Sequence, residues 1–389
     1  MMLGLLLARA GVDVLVLEKH ADFLRHFRGD TILPSTLEVM HELGMLDDFL
    51  ALPHQEVRQL SVQVGDARVP VADFTHLPTR CKFVAFMPQW DFLDFLSARA
   101  ARYPSFRLRM RADATGLLEK AGRVVGVEVT TPEGRHEVRA DLVVGADGRH
   151  SVVRAKAGLE VLAFGAPMDV LWFRLSRRPD DPAASMGRFD AGRIFVLIER
   201  GPYWQCGYVI AKDTIDGIRR QGIVAFRESV ARVVPFLRDR AGELRGWEDV
   251  SLLTVRVDRL SRWYRPGLLC IGDAAHAMSP VGGIGINLAL QDAVAAANLL
   301  AAPLAEGRMT IEDLARVQRR REMPTRVTQW LQVQAQKRVI APVLAGAAPP
   351  RLPLALRPLR RFAVLRRIPA RLIGIGIRPE HVRAPAVSR

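Results

Sequence analysis

Apolar and polar positions along this chain follow two periods, and each change of period marks an element. Met1 to Ala10 is almost wholly apolar, with no basic residue ahead of it. That predicts a buried helix stopped by Gly11 rather than a secretory leader. Val12 to Glu18 alternates and predicts a strand ending on an acid. Thr36 to about Leu43 reads as an N-capped helix closed by Gly44. Residues 59–86 look β-rich, with Leu60–Val64 and Val69–Val71 on either side of a Gly65-Asp66 turn. Gln89-Trp90-Asp91 opens an amphipathic helix to Arg102. Val124–Thr130 and His136–Arg139 form a hairpin around Pro132-Glu-Gly134. After residue 162 the pattern shifts to short strands, Val170–Leu175, Arg193–Glu199 and Tyr203–Ile210. Helices follow at Ile215–Glu228, interrupted near Gly217 and Gly222, and at Val230–Leu237, with a return segment at Leu252–Val257. Helical character resumes from Gln318 to about Val343.

The chain is organised around residues 265–292. Leu268–Ile271 is apolar on both faces, which predicts a buried strand. Gly272-Asp273 ends it, and a carboxylate at the C-terminal edge of such a strand faces the crevice where open α/β sheets bind ligands. Pro280, Gly282, Gly283 and Gly285 allow a tight loop and close approach to a flat ligand. Asn287 reads as the N-cap of an apolar helix from Leu288 to about Leu300, whose first N–H groups can meet an electron-rich oxygen. A second motif occupies residues 140–154. The strand Leu142–Ala146 runs into Asp147-Gly148, Ser151 caps the next helix, and Arg154 projects one turn later toward a phosphate or the Asp. Glu18, at the end of its strand, is placed to hydrogen-bond a ribose hydroxyl.

These stretches resemble the "GD" motif and the D-G-x-x-S-x-x-R pattern of the group A flavin monooxygenases, the 4-hydroxybenzoate hydroxylase-like aromatic hydroxylases. The resemblance implies an α/β fold: a Rossmann-like FAD-binding domain, an inserted β-sheet substrate domain and a helical C-terminal tail. It implies FAD contacts at Glu18, Arg28, Gln89, Asp147, Gly148, Arg154, Asp273, Pro280, Gly283, Gly285, Ile286 and Asn287. NADH or NADPH would reduce FAD. Dioxygen would then give a flavin hydroperoxide, which hydroxylates a small aromatic or polyketide-like substrate. Neither a separate nicotinamide domain, a metal nor a catalytic acid–base pair is expected. In that family a strand and G-x-G-x-x-G precede the first helix, whereas this sequence begins inside the helix. The expected reading is a truncated or mis-started chain with an N-terminally incomplete FAD domain. The alternatives are an FAD-binding protein without monooxygenase activity and a related FAD-dependent reductase. A halogenase is disfavoured, because its tryptophan-rich motif is missing.

Composition adjusts this picture in three places. A chain of 389 residues suggests about two domains. We assign 1–58, 87–160 and 255–335 to FAD binding, 59–86 and 161–254 to substrate, and 336–389 to a basic helical tail. The net charge of +15 is spread along the sequence without a nucleic-acid module. The arginine-rich Leu354–Ile377 region, with Pro358 and Pro369 bounding any helix, is expected to close over the protein in preference to lying on a membrane. Cys81, Cys206 and Cys270 form no CxxC or metal cluster, which suits a reducing, cytoplasmic setting. Tyr203, Trp204, Gln205 and Tyr208 are candidates to line the substrate face, with core packing the equal alternative.

Overall fold

Two strands distant in sequence, Val143–Gly145 and Leu268–Cys270, lie parallel in a computed structural model that describes residues 1–24, 31–65, 67–182, 186–190, 192–346 and 357–386. Their register pairs Val143 with Leu268 and Gly145 with Cys270. A second parallel pair joins Val14–Leu17 to Phe106–Arg109. The helix Met2–Arg9 packs beside that pair so closely that a Cβ on Gly4 would lie 2.9 Å from Val16 and 3.0 Å from Phe106. As expected, Gly11 ends this helix at φ 81°, and the Val12 N–H bonds back to the Leu7 carbonyl at 3.0 Å.

The long helix Gly285–Ala305 runs through this half of the molecule and packs on both Met2–Arg9 and Ile311–Ala335. Residues Val281–Ala305 are long and apolar enough to cross a membrane, but 67% of that window is buried in the protein. Their apolarity therefore reflects a core helix. The helix Ile311–Ala335 opens with a capping box between Thr310 and Asp313.

The other half is a seven-stranded sheet. Its spatial order is Ser251–Leu253, Met168–Ser176, Tyr203–Ala211, Arg193–Glu199, Met186–Asp190, Gln59–Val64 and Ala67–Asp73. Alternation divides the side chains between two cores. Leu171, Phe173, Phe195, Trp204 and Tyr208 pack under the helix Ile215–Val233 with Phe226 and Val230. Val170, Ile194 and Val209 line the other face, with Trp172, Leu253 and Val281 packed against them. Trp204 and Tyr208 therefore turn away from the loop at Val281, because their register places them on the helix-covered side. The Tyr208 hydroxyl bonds Ser229 at 2.8 Å, and Trp204 Nε1 donates to Asp181 at 2.7 Å. The interruption expected in the covering helix falls at Gly222 alone, where φ is 88°.

The tail departs from expectation at its prolines. Pro358 lies second in the helix Arg357–Arg361 and Pro369 third in Arg367–Gly374. In a first turn the N–H has no intrahelical partner, so proline opens these helices where it was expected to bound them. All three cysteines are buried free thiols. Burial pushes Cys270 up to about 12 and raises Cys206 and Cys81 as well.

A buried ion pair anchors the sheet half. Both terminal nitrogens of Arg240 donate to Asp181, at 2.6 and 2.8 Å, and each side chain is 4% exposed. Burial alone would raise the Asp181 carboxyl, but Arg240, the Arg178 N–H and Trp204 hold it far below the usual range. Asp181→Asn is expected to cost about 3–5 kcal/mol in urea unfolding at neutral pH. A depressed folded pKa adds stability that is present above the unfolded value and lost as pH falls through the folded one. The variant should therefore lose least in acid, and unfolding midpoints measured from neutral pH downward check this.

Candidate functional site

The parallel pair brings the two acidic motifs to one edge. Asp147-Gly148 follows Val143–Gly145, and Gly272-Asp273 follows Leu268–Cys270. Gly148 has φ 84° and Gly272 φ 58°, so both turns use backbone space that side-chain-bearing residues avoid. Arg149 links the turns: it reaches Asp273 at 3.4 Å and the Thr254 carbonyl at 3.5 Å. The side chains of Asp273 and Arg149 are 30% and 18% exposed, which leaves the pair open to a ligand.

The glycine loop meets the acid here. A Cβ on Gly285 would sit 4.0 Å from Asp273 Oδ1. The first intrahelical bond runs from the Leu288 N–H to the Ile284 carbonyl at 3.0 Å. The N–H groups of Gly285, Ile286 and Asn287 precede it and make a donor cluster beside the carboxylate. Pro280 opens the loop, Gly282 is exposed at φ 82°, and Gly283 has φ 63°. A Cβ on Gly283 would lie 2.6 Å from Thr31 Oγ1. The loop thus rests directly on the strand Thr31–Ile32.

Two of the expected contacts need correction. Asn287 is not the N-cap: Ile284 holds that place and Asn287 is the third helical residue. Its side chain is buried and spent on the protein. Oδ1 accepts from the Leu33 N–H at 2.9 Å and Thr36 Oγ1 at 2.7 Å, while Nδ2 donates to the Thr31 and Gly283 carbonyls at 2.8 and 3.2 Å. Only its backbone remains for a ligand. Arg154 is likewise buried. It donates to Asp258 at 3.1 Å and to the Ala274 carbonyl at 3.4 Å, so its guanidinium is not presented to a phosphate. Ser151 does cap the helix Val152–Lys156, accepting from the Arg154 N–H at 2.9 Å.

The remaining candidates fall in several places. Glu18 follows the strand Val14–Leu17, accepts from the His20 N–H at 2.9 Å, and lies near enough to act on the Met1 amino group, which burial holds low. Gln89 is the first residue of the helix Gln89–Ala100 and is half-buried. Asp147 is exposed and accepts from the Val153 N–H at 3.1 Å. Arg28 lies outside the described residues.

Sequence reasoning missed the group behind the Asp273 turn. Asp292 is fully buried in the helix Gly285–Ala305. It accepts from the Gly272 N–H at 3.0 Å, His276 Nε2 at 2.5 Å and Arg321 Nε at 3.0 Å. Arg321 continues to Glu380 at 3.3 Å, and Arg320 joins Glu380 at 2.6 Å. Burial would raise the Asp292 carboxyl, but His276 and Arg321 bring it below its ordinary value. A lone acid inside an apolar helix was the available signal, since a buried charge needs a partner.

This donor set suits FAD. Glu18 and Asp273 can accept from sugar and ribityl hydroxyls, Arg149 can face a phosphate, and the N–H cluster at Gly285–Asn287 can meet a flavin carbonyl. Gly148 adds room, because a Cβ there would meet nothing within 4 Å. The fold and site define an FAD-binding α/β oxidoreductase. A sequence profile described as "FAD binding domain" matches residues 1–331. The chain is 31% identical over 372 residues to 6-methylpretetramide 4-monooxygenase of Streptomyces rimosus, covering 94% of this chain and 88% of that protein. It is 30% identical over 307 residues to 12-dehydrotetracycline 5-monooxygenase/anhydrotetracycline 6-monooxygenase of the same species, covering 76% of this chain and 59% of that protein. The structure of anhydrotetracycline hydroxylase from Streptomyces rimosus superposes with a TM-score of 0.73 at 24% identity, over 97% of this chain and 74% of that one. The chain belongs to this FAD-binding family and is an FAD-dependent monooxygenase.

Asp292→Asn removes the charge that pairs with Arg321 and that accepts from His276 Nε2. It is expected to cost about 3–5 kcal/mol and to release the Gly272-Asp273 turn. Thermal unfolding, together with flavin absorbance retained after desalting, checks both effects.

Proposed function

We propose that this monooxygenase hydroxylates a fused-ring aromatic substrate of the polyketide class, held where the glycine loop meets the face of the seven-stranded sheet opposite the helix Ile215–Val233. The observation that carries this is the composition of that face. Val170, Ile194, Val209, Trp172 and Leu253 form one apolar cluster with Val281 of the glycine loop, and Ile340 and Val343 of the segment after the helix Ile311–Ala335 close part of it. Trp172 lies across Gly207, where a Cβ would be 3.0 Å from two of its ring atoms. A flat indole on a glycine offers a broad surface for stacking a planar ring system. The relatives support the same class, being named for 6-methylpretetramide and anhydrotetracycline hydroxylation.

When bound, FAD supplies the redox chemistry: it takes hydride from NADH or NADPH and activates dioxygen. The residues of the chain bind, orient and keep the site dry. Asp273 and Glu18 accept hydrogen bonds from ribityl and sugar hydroxyls, Arg149 faces phosphate, and the N–H groups of Gly285, Ile286 and Asn287 hold the ring edge. Gln89, at the start of its helix, and Pro280, at the head of the loop, flank the ring. The apolar face excludes water, which protects oxygen transfer from hydrolytic loss. In this reading residues 1–58, 87–160 and 255–335 serve the cofactor, residues 59–86 and 161–254 serve the substrate, and 336–389 is the tail.

The test begins with FAD reconstitution and desalting, followed by NAD(P)H oxidation with tetracyclic phenols and with single-ring phenols. Tetracyclic phenols should accelerate NAD(P)H oxidation and gain one oxygen atom by mass spectrometry. Faster, better-coupled turnover of single-ring phenols would sink the substrate reading. Trp172→Ala should raise KM about tenfold with a smaller change in kcat, as expected for lost stacking area. Asp273→Ala should weaken FAD retention about tenfold, as expected for removal of a charged hydrogen-bond partner.

A further inference from the structure

The tail carries a surface that the flavin site does not use. Residues 357–379 contain seven arginines and no acidic residue. The inner side of the helix Arg367–Gly374 is fixed: Ala370 is fully buried, and Gly374 sits against Leu77, Phe74 and Pro34. Its outer side is left apolar. Ile368 is 60% exposed and Leu372 38%, one turn apart on a single helix face. Just ahead of them Val364 is 58% and Phe362 54% exposed. A rigidly held group of large apolar side chains ringed by arginines is uncommon on a surface that meets only water.

We propose that this face docks on the surface of an anionic lipid bilayer. The helix has the sidedness of an interfacial helix, with Ile368 and Leu372 outward and arginines at 366, 367 and 371 beside them. The apolar side chains enter the headgroup–acyl boundary, and the guanidinium groups meet phosphates and anionic headgroups. Charge selects the occupant, since a segment with seven positive charges and no negative one in a chain of net charge +15 matches an acidic surface. The docked face is also close to the site. Ile373 and Ile375 pack against the cluster of Leu33, Phe74 and Leu77, and so does Ile284, the residue that caps the glycine-loop helix. One layer of side chains thus separates the lipid-facing surface from the loop.

The experiment is co-sedimentation of the full-length, FAD-incubated protein with phosphatidylcholine vesicles and with vesicles that also contain phosphatidylglycerol. The protein should pellet with the anionic vesicles alone and be released as salt rises. The double variant Ile368→Glu/Leu372→Glu should remain in the supernatant. Arg360→Gln/Arg361→Gln should lower partitioning about twenty-five-fold, from about fivefold per arginine at an anionic surface. All four positions are exposed, so circular dichroism should match the parent protein. The proposal is overturned if the parent stays in the supernatant with anionic vesicles at low salt, or if the glutamate variant pellets as the parent does. Light scattering covers the other occupant: a dimer that the glutamate variant dissociates would assign the face to a second copy of the chain, and would equally overturn it.

Discussion

The Asp292 carboxylate is the contact on which the arrangement of the site depends. It is fully buried, and a charge in that position is costly unless several donors converge on it. Here they come from three directions: the Gly272 N–H from the turn, His276 from the strand His276–Ala277, and Arg321 from the helix Ile311–Ala335. Each donor fixes a different element against the helix Gly285–Ala305. Because Gly272 directly precedes Asp273, the hydrogen bond behind the turn sets where the Asp273 carboxylate points. The network then continues through Arg321 to Glu380, so the end of the chain is fastened to the same point. Residues 380–384 are further tied down by Glu42, Asn298 and Arg9.

Close backbone approach is the second constraint, and glycine supplies it at two contacts. At Gly272 an added Cβ would come within 2.9 Å of Ala289, so the turn lies almost on the helix. At Gly283 the neighbour is Thr31, and Asn287 fastens the same region by bonding Thr31, Leu33 and Thr36 at once. The loop before the helix and the strand Thr31–Ile32 therefore move as one piece. The N–H groups of Gly285, Ile286 and Asn287 keep a fixed direction, which a donor cluster needs if it is to stabilise charge without reorganising.

Much of this was legible in the sequence, because strands, turns and glycine stops are local. The apolar run at Leu268–Cys270, the Asp147-Gly148 and Gly272-Asp273 turns and the Gly11 stop are all set by a few adjacent residues. Side-chain commitments were not legible. Arg154 stands one turn after Ser151, as its motif suggests, yet it pairs with Asp258, 104 positions away. Arg149, five residues earlier, reaches the Asp273 carboxylate instead. Asn287 looked like a cap because Asn favours caps, but its partners lie some 250 positions upstream. Trp204 and Tyr208 could not be assigned a face from alternation alone, since both faces of that sheet are apolar. Which face the helix Ile215–Val233 covers decides the matter.

The edge around Asp273 and the sheet near Val281 differ sharply in character. The edge near Asp273 is polar and partly open, which suits a large cofactor rich in phosphate and hydroxyl groups. The sheet face opposite is apolar and closed by Trp172 and its neighbours, which suits a planar substrate and a dry reaction. With FAD supplying the redox chemistry when bound, the residues of the chain would hold two unlike surfaces at a fixed spacing. That task falls to Val281 and Ile284, which sit on the glycine loop and pack into two different cores. Val281 leads to the seven-stranded sheet, and Ile284 leads to the layer under the arginine-rich tail. A displacement of the loop would therefore disturb the seven-stranded sheet and the layer under the tail together, which is a physical reason for the heavy fastening around Asp292 and Asn287.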